Sequence, residues 1–159
     1  MRSDGERSRE VILDAAAELA TVEGLDGLSI GRLADVTGMS KSGVFGLFGS
    51  KEELQLATIE KARRVFTTEV VGSALAAPPG RAQLLALCVG YLAHVERRVF
   101  PGGCFFASVA SEVSSRPGPV RDRVAAEQIQ WANLLLENAR QAIRARELPP
   151  DTDPEQLTR

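Results

Sequence analysis

The chain contains few of the residues on which most enzymatic, metal-binding and disulfide chemistry depends. Its 159 residues include one histidine, two cysteines, one tryptophan and one tyrosine. Cys88 and Cys104 stand 16 positions apart, without a C-x-x-C spacing or a histidine cluster, which argues against a zinc site and a disulfide scaffold. His94 is the single histidine, and no Gly-rich phosphate loop accompanies it. We therefore expect no catalytic site, no metal and no cofactor.

Long apolar runs and a strong charge of one sign are also absent. No run approaches the 18 or so residues that span a bilayer, and the N-terminal segment lacks the apolar core of a signal peptide. Apolar residues make up 44% of the chain and charged residues 25%, as in ordinary globular proteins. The net charge of −2 argues against nucleic-acid binding by bulk charge alone but allows a local basic patch. We expect a folded cytoplasmic protein without a membrane partner.

Helical periodicity dominates the sequence and predicts an all-α fold. Apolar positions recur every three or four residues in several stretches separated by glycine and proline. The predicted longer helices lie at about 6–23, 51–72, 81–100, 104–113 and 120–147. In the third of these the expected buried stripe includes Leu84, Cys88, Tyr91 and Val95.

Two short helices joined by a tight turn at Gly38 are predicted between the first two long ones. Ser29 is a natural N-cap for the first short helix, and Ser40 is one for the second. Val44 and Phe48 lie four apart in the second helix, so both should face the core. Such a pair matches the helix-turn-helix unit that inserts its second helix into the DNA major groove, although ordinary helical domains also contain similar turns.

The stretch from Arg9 to Glu60 strongly resembles the DNA-binding domain of the TetR (tetracycline-repressor) family of transcriptional regulators. The resemblance rests on ILDAA followed by an EG-containing turn, on SIGRLADVTGMSKSGVF and on FGSKEEL, in that order. It implies a DNA-binding domain at 6–66 with a helix-turn-helix at 29–48. The residues for which we expect DNA contact are Ser29, Ser40, Lys41, Ser42, Gly43, Phe45, Gly46, Leu47 and Lys51. Lys51, at the start of the next helix, should hold a phosphate.

The recognition helix departs from the family pattern. Phe45 stands where family members typically have an aromatic hydroxyl, and Gly46 and Leu47 stand where bulkier polar or aromatic residues are frequent. Because fewer polar groups reach the base edges, contact with thymine methyls and DNA shape should carry more of the specificity. The arginines within residues 1–9 are interpreted as part of a solvated, frayed terminus rather than a DNA-binding arm.

For residues 67–159 the resemblance implies a helical domain that binds an effector and forms a homodimer. In the family, effector binding changes the separation of the two DNA-binding domains of the dimer, each of which is a reading head. The candidate walls of a mostly apolar effector cavity are Tyr91, Phe100, Cys104, Phe105, Phe106, Trp131 and Leu135. Cys104 itself is expected to be an inert buried thiol, since no cationic residue lies close to it in sequence.

The final residues, from Asp153 onward, begin a helix that ends after a few residues. Family members usually have further helices there, which build the dimer interface, so the second domain is expected to be truncated. Two functions remain open. The first is a ligand-responsive regulator, expected to be a repressor, that binds a palindromic operator as a homodimer and responds to a small apolar effector. The alternative is a truncated helical module that heterodimerises with a full-length relative and does not bind DNA.

Overall fold

The computed structural model describes residues 4–159, and all regular secondary structure in that range is helical. Its eight α-helices are α1 (Asp4–Glu23), α2 (Ile30–Thr37), α3 (Lys41–Phe48), α4 (Lys51–Phe66), α5 (Arg81–Glu96), α6 (Phe105–Val113), α7 (Pro119–Arg144) and α8 (Pro154–Leu157). A π-helical segment at Thr67–Gly72 continues α4. Within the described residues, every helix is too short or too polar to cross a membrane. The fold is all-α, as the sequence predicts.

α1 and α4 lie against each other and support the two short helices. The buried face of α1 includes the small residues Ala16 and Ala20, and α1 packs directly against α4. Lys61 of α4 reaches back to α1, where its Nζ lies 2.9 Å from Glu10 Oε2 and 2.7 Å from Asp14 Oδ1. These contacts hold α1 and α4 in one orientation beneath α2 and α3.

The tight turn between α2 and α3 forms where the sequence predicts it. The Ser29 and Ser40 hydroxyls each accept the backbone N–H of the third residue of the helix that follows, at 3.1 Å in both cases. Gly38 has φ 69°, the left-handed conformation that ends a helix and that glycine adopts without steric cost. Val44 is fully buried and Phe48 is 7% exposed, so α3 is fixed through one face. The helix-turn-helix geometry is confirmed.

In the described part of the predicted solvated, frayed terminus, Arg7 is solvent-exposed as expected, but the chain is helical, so the fraying is wrong. α1 begins at Asp4, and Arg7 forms an ion pair with Asp4 within the helix. The Arg9 guanidinium carbon lies 5.0 Å from the centroid of the Phe48 ring, which makes a cation–π contact between α1 and α3. Arg2 lies outside the described residues.

α5 differs from the prediction in its length and in its buried face. It ends at Glu96, and Arg98 then adopts a positive φ of 50°, which redirects the chain before Pro101. Its buried residues are Gln83, Leu87 and His94, whereas Cys88, Leu85, Val89 and Leu92 are exposed. Because α5 is apolar on most of its faces, periodicity does not select which face packs against α7 and the π-helical segment.

The two halves of the chain share one core. Phe100, Phe105, Val109 and Val113 belong to the same buried cluster as residues of α1, α2 and α4. α6 packs between α1 and α7, so the second half of the chain directly supports the first. A displacement of α6 must therefore be accommodated by α1 or α7.

Candidate DNA-binding and ligand-binding sites

α3 presents an exposed face on the side opposite its buried residues. Phe45 is 56% exposed, and Lys41, Ser42, Gly43 and Gly46 are exposed as well. A side chain built at Gly46 would meet no atom within 4 Å, so this part of the surface is open to a close partner. The face consists of small residues around one exposed phenylalanine, with a lysine at its start, which suits insertion into a groove.

Leu47, Ser29 and Ser40 of the predicted DNA-binding site also stabilise the fold. Leu47 is half-buried and packs against the core, so only part of its side chain is accessible. Ser29 and Ser40 are exposed, but their hydroxyls already cap α2 and α3. Their direct effect is to fix the two helix starts.

Two of the three lysines of the chain stand at the first positions of α3 and of the helix that follows it. Lys41 is the first residue of α3, and Lys51 is the first residue of α4; both are exposed. The Lys51 ammonium donates to the backbone carbonyl of Asp26 in the turn that follows α1. Arg32 is less available, because its guanidinium lies 2.6 Å from Glu23 and this hydrogen bond lowers the pKa of the Glu23 carboxyl. Lys41 and Lys51 are the candidate phosphate ligands, since an ammonium that donates one hydrogen bond to Asp26 keeps two further N–H donors.

A second candidate site is a cavity of about 450 Å³ between the end of α4, the π-helical segment, α5, α6 and α7. It is half-open to solvent and mainly apolar. Its lining residues are Arg63, Phe66, Thr67, Val71, Tyr91, Cys104, Phe106, Glu127, Gln128, Gln130, Trp131 and Leu134. Its size suits a drug-sized organic molecule. The junction of α4 with the π-helical segment lies in this wall, a frequent location for such segments.

Phe66 is at the centre of the aromatic wall. Its ring makes edge-to-face contacts with Tyr91, His94, Phe106 and Trp131, at centroid distances of 6.3, 5.7, 6.3 and 5.1 Å. Such pairs contribute about 0.5–1.5 kcal/mol each beyond their buried area. The wall is therefore a packed unit that connects α4, α5, α6 and α7.

Charged residues beside the cavity compensate one another. Arg63 contacts Glu60 at 2.6 Å, and Arg123 contacts both Glu60 at 2.7 Å and Glu127 at 2.8 Å. The hydrogen bond from Arg63 is the main cause that lowers the pKa of Glu60. Two positive and two negative groups alternate in this network, so a charged ligand finds no uncompensated charge among them. The arrangement favours a neutral, mostly apolar ligand with a few hydrogen-bonding groups.

Two titratable groups near the cavity have pKa values shifted mainly by burial. Burial raises the pKa of the Tyr91 hydroxyl, with a smaller contribution from the adjacent Cys104 thiol. Burial lowers the pKa of His94, whose Nδ1 has no hydrogen-bond partner. Both groups are therefore neutral near pH 7. In the described part of the chain, no three His, Cys, Asp or Glu side chains group as metal ligands.

The structure brings together only some of the residues predicted for the effector cavity. Tyr91, Cys104, Phe106 and Trp131 line it. Phe100 and Phe105 do not: they are 5% and 1% exposed and lie in the core shared with α1. Leu135 is not in the lining either, where the adjacent Leu134 takes its place.

The predicted cavity walls did not include α4 or the π-helical segment that continues it. Arg63, Phe66, Thr67 and Val71 recur on one helical face, and that spacing was the available signal. The proposed domain boundary between residues 66 and 67 separates this face into two parts. Glu127 was missed because a charged residue that is only 9% exposed is unusual.

Comparisons with known proteins agree with the geometry of the reading head. The family model described as bacterial regulatory proteins, tetR family, matches residues 12–58. A second model, described as the tetracyclin repressor-like C-terminal domain, matches residues 80–159, which is half of the chain. A comparison with curated proteins found no match.

Solved structures of similar fold cover nearly all of the chain. A TetR transcriptional regulator from Chloroflexus aurantiacus J-10-FL has a TM-score of 0.82 and 26% identity, over 97% of this chain and 78% of that chain. A TetR-family regulator from Cytophaga hutchinsonii has a TM-score of 0.81 and 23% identity, over 99% and 79% respectively. AibR, in complex with isovaleryl coenzyme A and operator DNA, has a TM-score of 0.77 and 22% identity, over 94% and 78%. The two family models span both halves of the molecule, and the chain therefore belongs to the TetR family of bacterial regulatory proteins.

Proposed function

We propose that this chain is a transcriptional repressor that binds operator DNA as a homodimer through α3 and that responds to a small, largely apolar molecule in the cavity. The family consists of transcriptional regulators. AibR, a structural neighbour, is seen with both operator DNA and an acyl coenzyme A. The observation that carries the proposal for this chain is the exposed, open face of α3, together with exposed lysines at the first positions of α3 and α4. A regulator of bacterial genes acts in the cytoplasm, where the DNA lies.

The residues of the reading head have two kinds of role in this proposal. Lys41 and Lys51 contact phosphates, which adds affinity for any sequence. Phe45, with the accessible part of Leu47, contacts thymine methyl groups in the major groove. Gly43 and Gly46 add no bulk and allow α3 to approach the base edges.

Dimer formation and effector binding both change the affinity for operator DNA. A homodimer places two heads on half-sites about one helical turn apart, roughly 34 Å, and therefore favours an inverted repeat. An effector that binds better to a conformation with another head spacing lowers operator affinity by the ratio of its affinities for the two states. The compensated charges beside the cavity support a neutral effector rather than an ionic one.

The alternative, a helical module that pairs with a relative and has lost DNA binding, is not favoured. Such a module has no need to keep α3 exposed with lysines at the first positions of α3 and α4. Both features are present here.

Selection of bound duplexes from a random DNA pool tests the DNA half of the proposal. We expect an inverted repeat whose half-sites lie about one helical turn apart. Lys51→Ala should weaken binding to every duplex and reduce the salt slope by about 0.9 for each phosphate that the protein no longer neutralises. Phe45→Ala should instead change the recovered sequences. Arg81→Ala, which removes a cation from the first position of α5, is the matched control and should have neither effect. Failure to enrich any sequence would refute the proposal.

Trp131 provides a direct test of the ligand half because it is the only tryptophan in the chain and lines the cavity. Naphthalene, naphthalene-2-carboxylate and the N,N,N-trimethyl-2-naphthylammonium cation share one ring system and differ in charge. We expect the neutral compound to quench Trp131 fluorescence at the lowest concentration. Tighter binding of either ion would contradict the assignment of a neutral ligand.

A further inference from the structure

The turn between α1 and α2 is held by a carboxylate from the second half of the chain. Glu112, near the end of α6, accepts hydrogen bonds from the backbone N–H of Leu25 at 2.8 Å and of Asp26 at 2.7 Å. Leu25 is fully buried, so its amide would be left without a partner if this carboxylate were removed. One side chain thus joins segments that are 86 and 87 positions apart in sequence.

The turn is shaped to admit that carboxylate. Gly24 has φ 83°, and a Cβ at this position would lie 3.0 Å from Glu112 Oε2. The C-terminal end of α1 carries the negative end of the helix dipole, which by itself repels an acidic group. Two directed amide hydrogen bonds hold Glu112 there against this repulsion.

The same turn contacts the beginning of α4 on its other side. The Asp26 carbonyl accepts the hydrogen bond from the Lys51 ammonium. The buried Gln55 amide donates to the Leu25 carbonyl at 3.0 Å. Arg116, just beyond α6, forms an ion pair with the Asp26 carboxylate. The turn is therefore fixed from α6 and in turn fixes the lysine proposed as a phosphate ligand.

α6 also reaches the cavity. Cys104, which directly precedes α6, and Phe106 in its first turn line the cavity, and Glu112 lies six residues after Phe106 on the same helix. A rise of 1.5 Å per residue places Glu112 about 9 Å farther along the axis. Since a helix moves largely as a rigid body, a shift at its cavity end also displaces Glu112.

We propose that Glu112 is a positioning residue for DNA binding: it holds the turn at residues 24–26 and thereby sets the place from which Lys51 meets a phosphate. The inference rests on the proposed function, because it takes Lys51 as a phosphate ligand. It adds a link from the helix that lines the cavity to one defined contact at the reading head.

A double-mutant cycle tests this dependence. The variants are Glu112→Ala, Lys51→Ala and the combination of both, measured by fluorescence anisotropy on a mixed-sequence duplex of about 30 base pairs, long enough for two half-sites. At about 0.1 M salt, a protein that neutralises one phosphate fewer binds about eightfold more weakly. We expect Lys51→Ala to bind about eightfold more weakly. Glu112→Ala should bind about threefold more weakly, which is half of the eightfold effect on a logarithmic scale. The double variant should bind as weakly as Lys51→Ala alone.

Two further variants separate positioning from a general structural effect. Glu147→Ala removes a carboxylate that accepts the Arg81 N–H at 2.9 Å, a contact of the same kind far from the reading head, and should leave DNA affinity unchanged. Glu112→Gln keeps an acceptor oxygen and the side-chain volume. It should retain more affinity than Glu112→Ala and keeps the test available if the alanine variant does not fold.

The outcomes distinguish the inference from the proposed function. Equal effects of Glu112→Ala with and without Lys51, or no effect in either background, would overturn the positioning role while DNA binding stands. If the unsubstituted chain binds no duplex, the proposed function fails and the positioning role falls with it. Amide hydrogen exchange then still reads the anchoring contact, since the Leu25 and Asp26 amides should exchange faster in Glu112→Ala and at an unchanged rate in Glu147→Ala.

Discussion

Phe66 is the side chain whose truncation should affect the second half of the molecule most clearly. Its ring contacts four others at centroid distances between 5.1 and 6.3 Å, on three different helices. Truncation of a fully buried phenylalanine to alanine costs about 3–5 kcal/mol. Phe66 is only half-buried because it lines the cavity, so the burial part is smaller. We expect Phe66→Ala to lower the free energy of unfolding by about 2–3 kcal/mol.

Urea denaturation followed by circular dichroism at the helix band measures this change. The thermal midpoint should fall by about 4–12 °C for a chain of this length. Phe66→Leu keeps most of the volume and should cost about 1 kcal/mol. Phe45→Ala makes the same chemical change at a residue that is 56% exposed, and should alter stability by less than about 0.5 kcal/mol. If Phe66→Ala is no more destabilising than Phe45→Ala, the aromatic wall does not contribute to folding as described.

Three other expectations concern single residues. Burial lowers the pKa of His94, while Glu69 opposes and Arg97 adds to the shift. The imidazole NMR signals of this residue, the only histidine of the chain, should therefore titrate below the ordinary pKa of about 6.5. The unfolded chain then binds the proton first, so stability should fall as pH drops below about 6.5, and His94→Gln should lack this part of the pH dependence in urea titrations. Ser40→Ala removes the N-cap of α3 and should cost about 1 kcal/mol in the same assay, whereas an unchanged midpoint would mean that the cap does not stabilise α3. Val44→Ala should cost about 2 kcal/mol and weaken DNA binding because α3 is then less firmly supported; normal DNA affinity at reduced stability would show that α3 does not depend on this contact.

The reading head was predictable because its signals are local. Ser29 and Ser40 each cap the helix that follows, and the hydrogen bonds involved span only three residues. Gly38 ends α2 by adopting the left-handed conformation, which depends on the identity of this one residue. Val44 and Phe48 face the core because they are four apart on a helix with one apolar side. Each of these features is complete within a few residues of sequence.

The cavity was predictable only in part. Tyr91 and Trp131 could be chosen as large aromatic residues on long helices, but Phe100 and Phe105 had the same qualities and lie in the core instead. The end of α5 decides between these outcomes. The helix stops at Glu96, and the positive φ of Arg98 redirects the chain so that Phe100 enters the core shared with α1.

The amino-acid sequence alone specifies the two short helices, their serine caps and the exposed face of α3, because those depend on residues three or four positions apart. Packing in three dimensions decides which face of the apolar α5 is buried and how α4 contributes Phe66 to the cavity wall. It also decides that Glu112 holds the turn at Leu25 and Asp26. These are contacts between segments far apart in the chain, and their formation depends on the packing of whole helices, which no local spacing specifies.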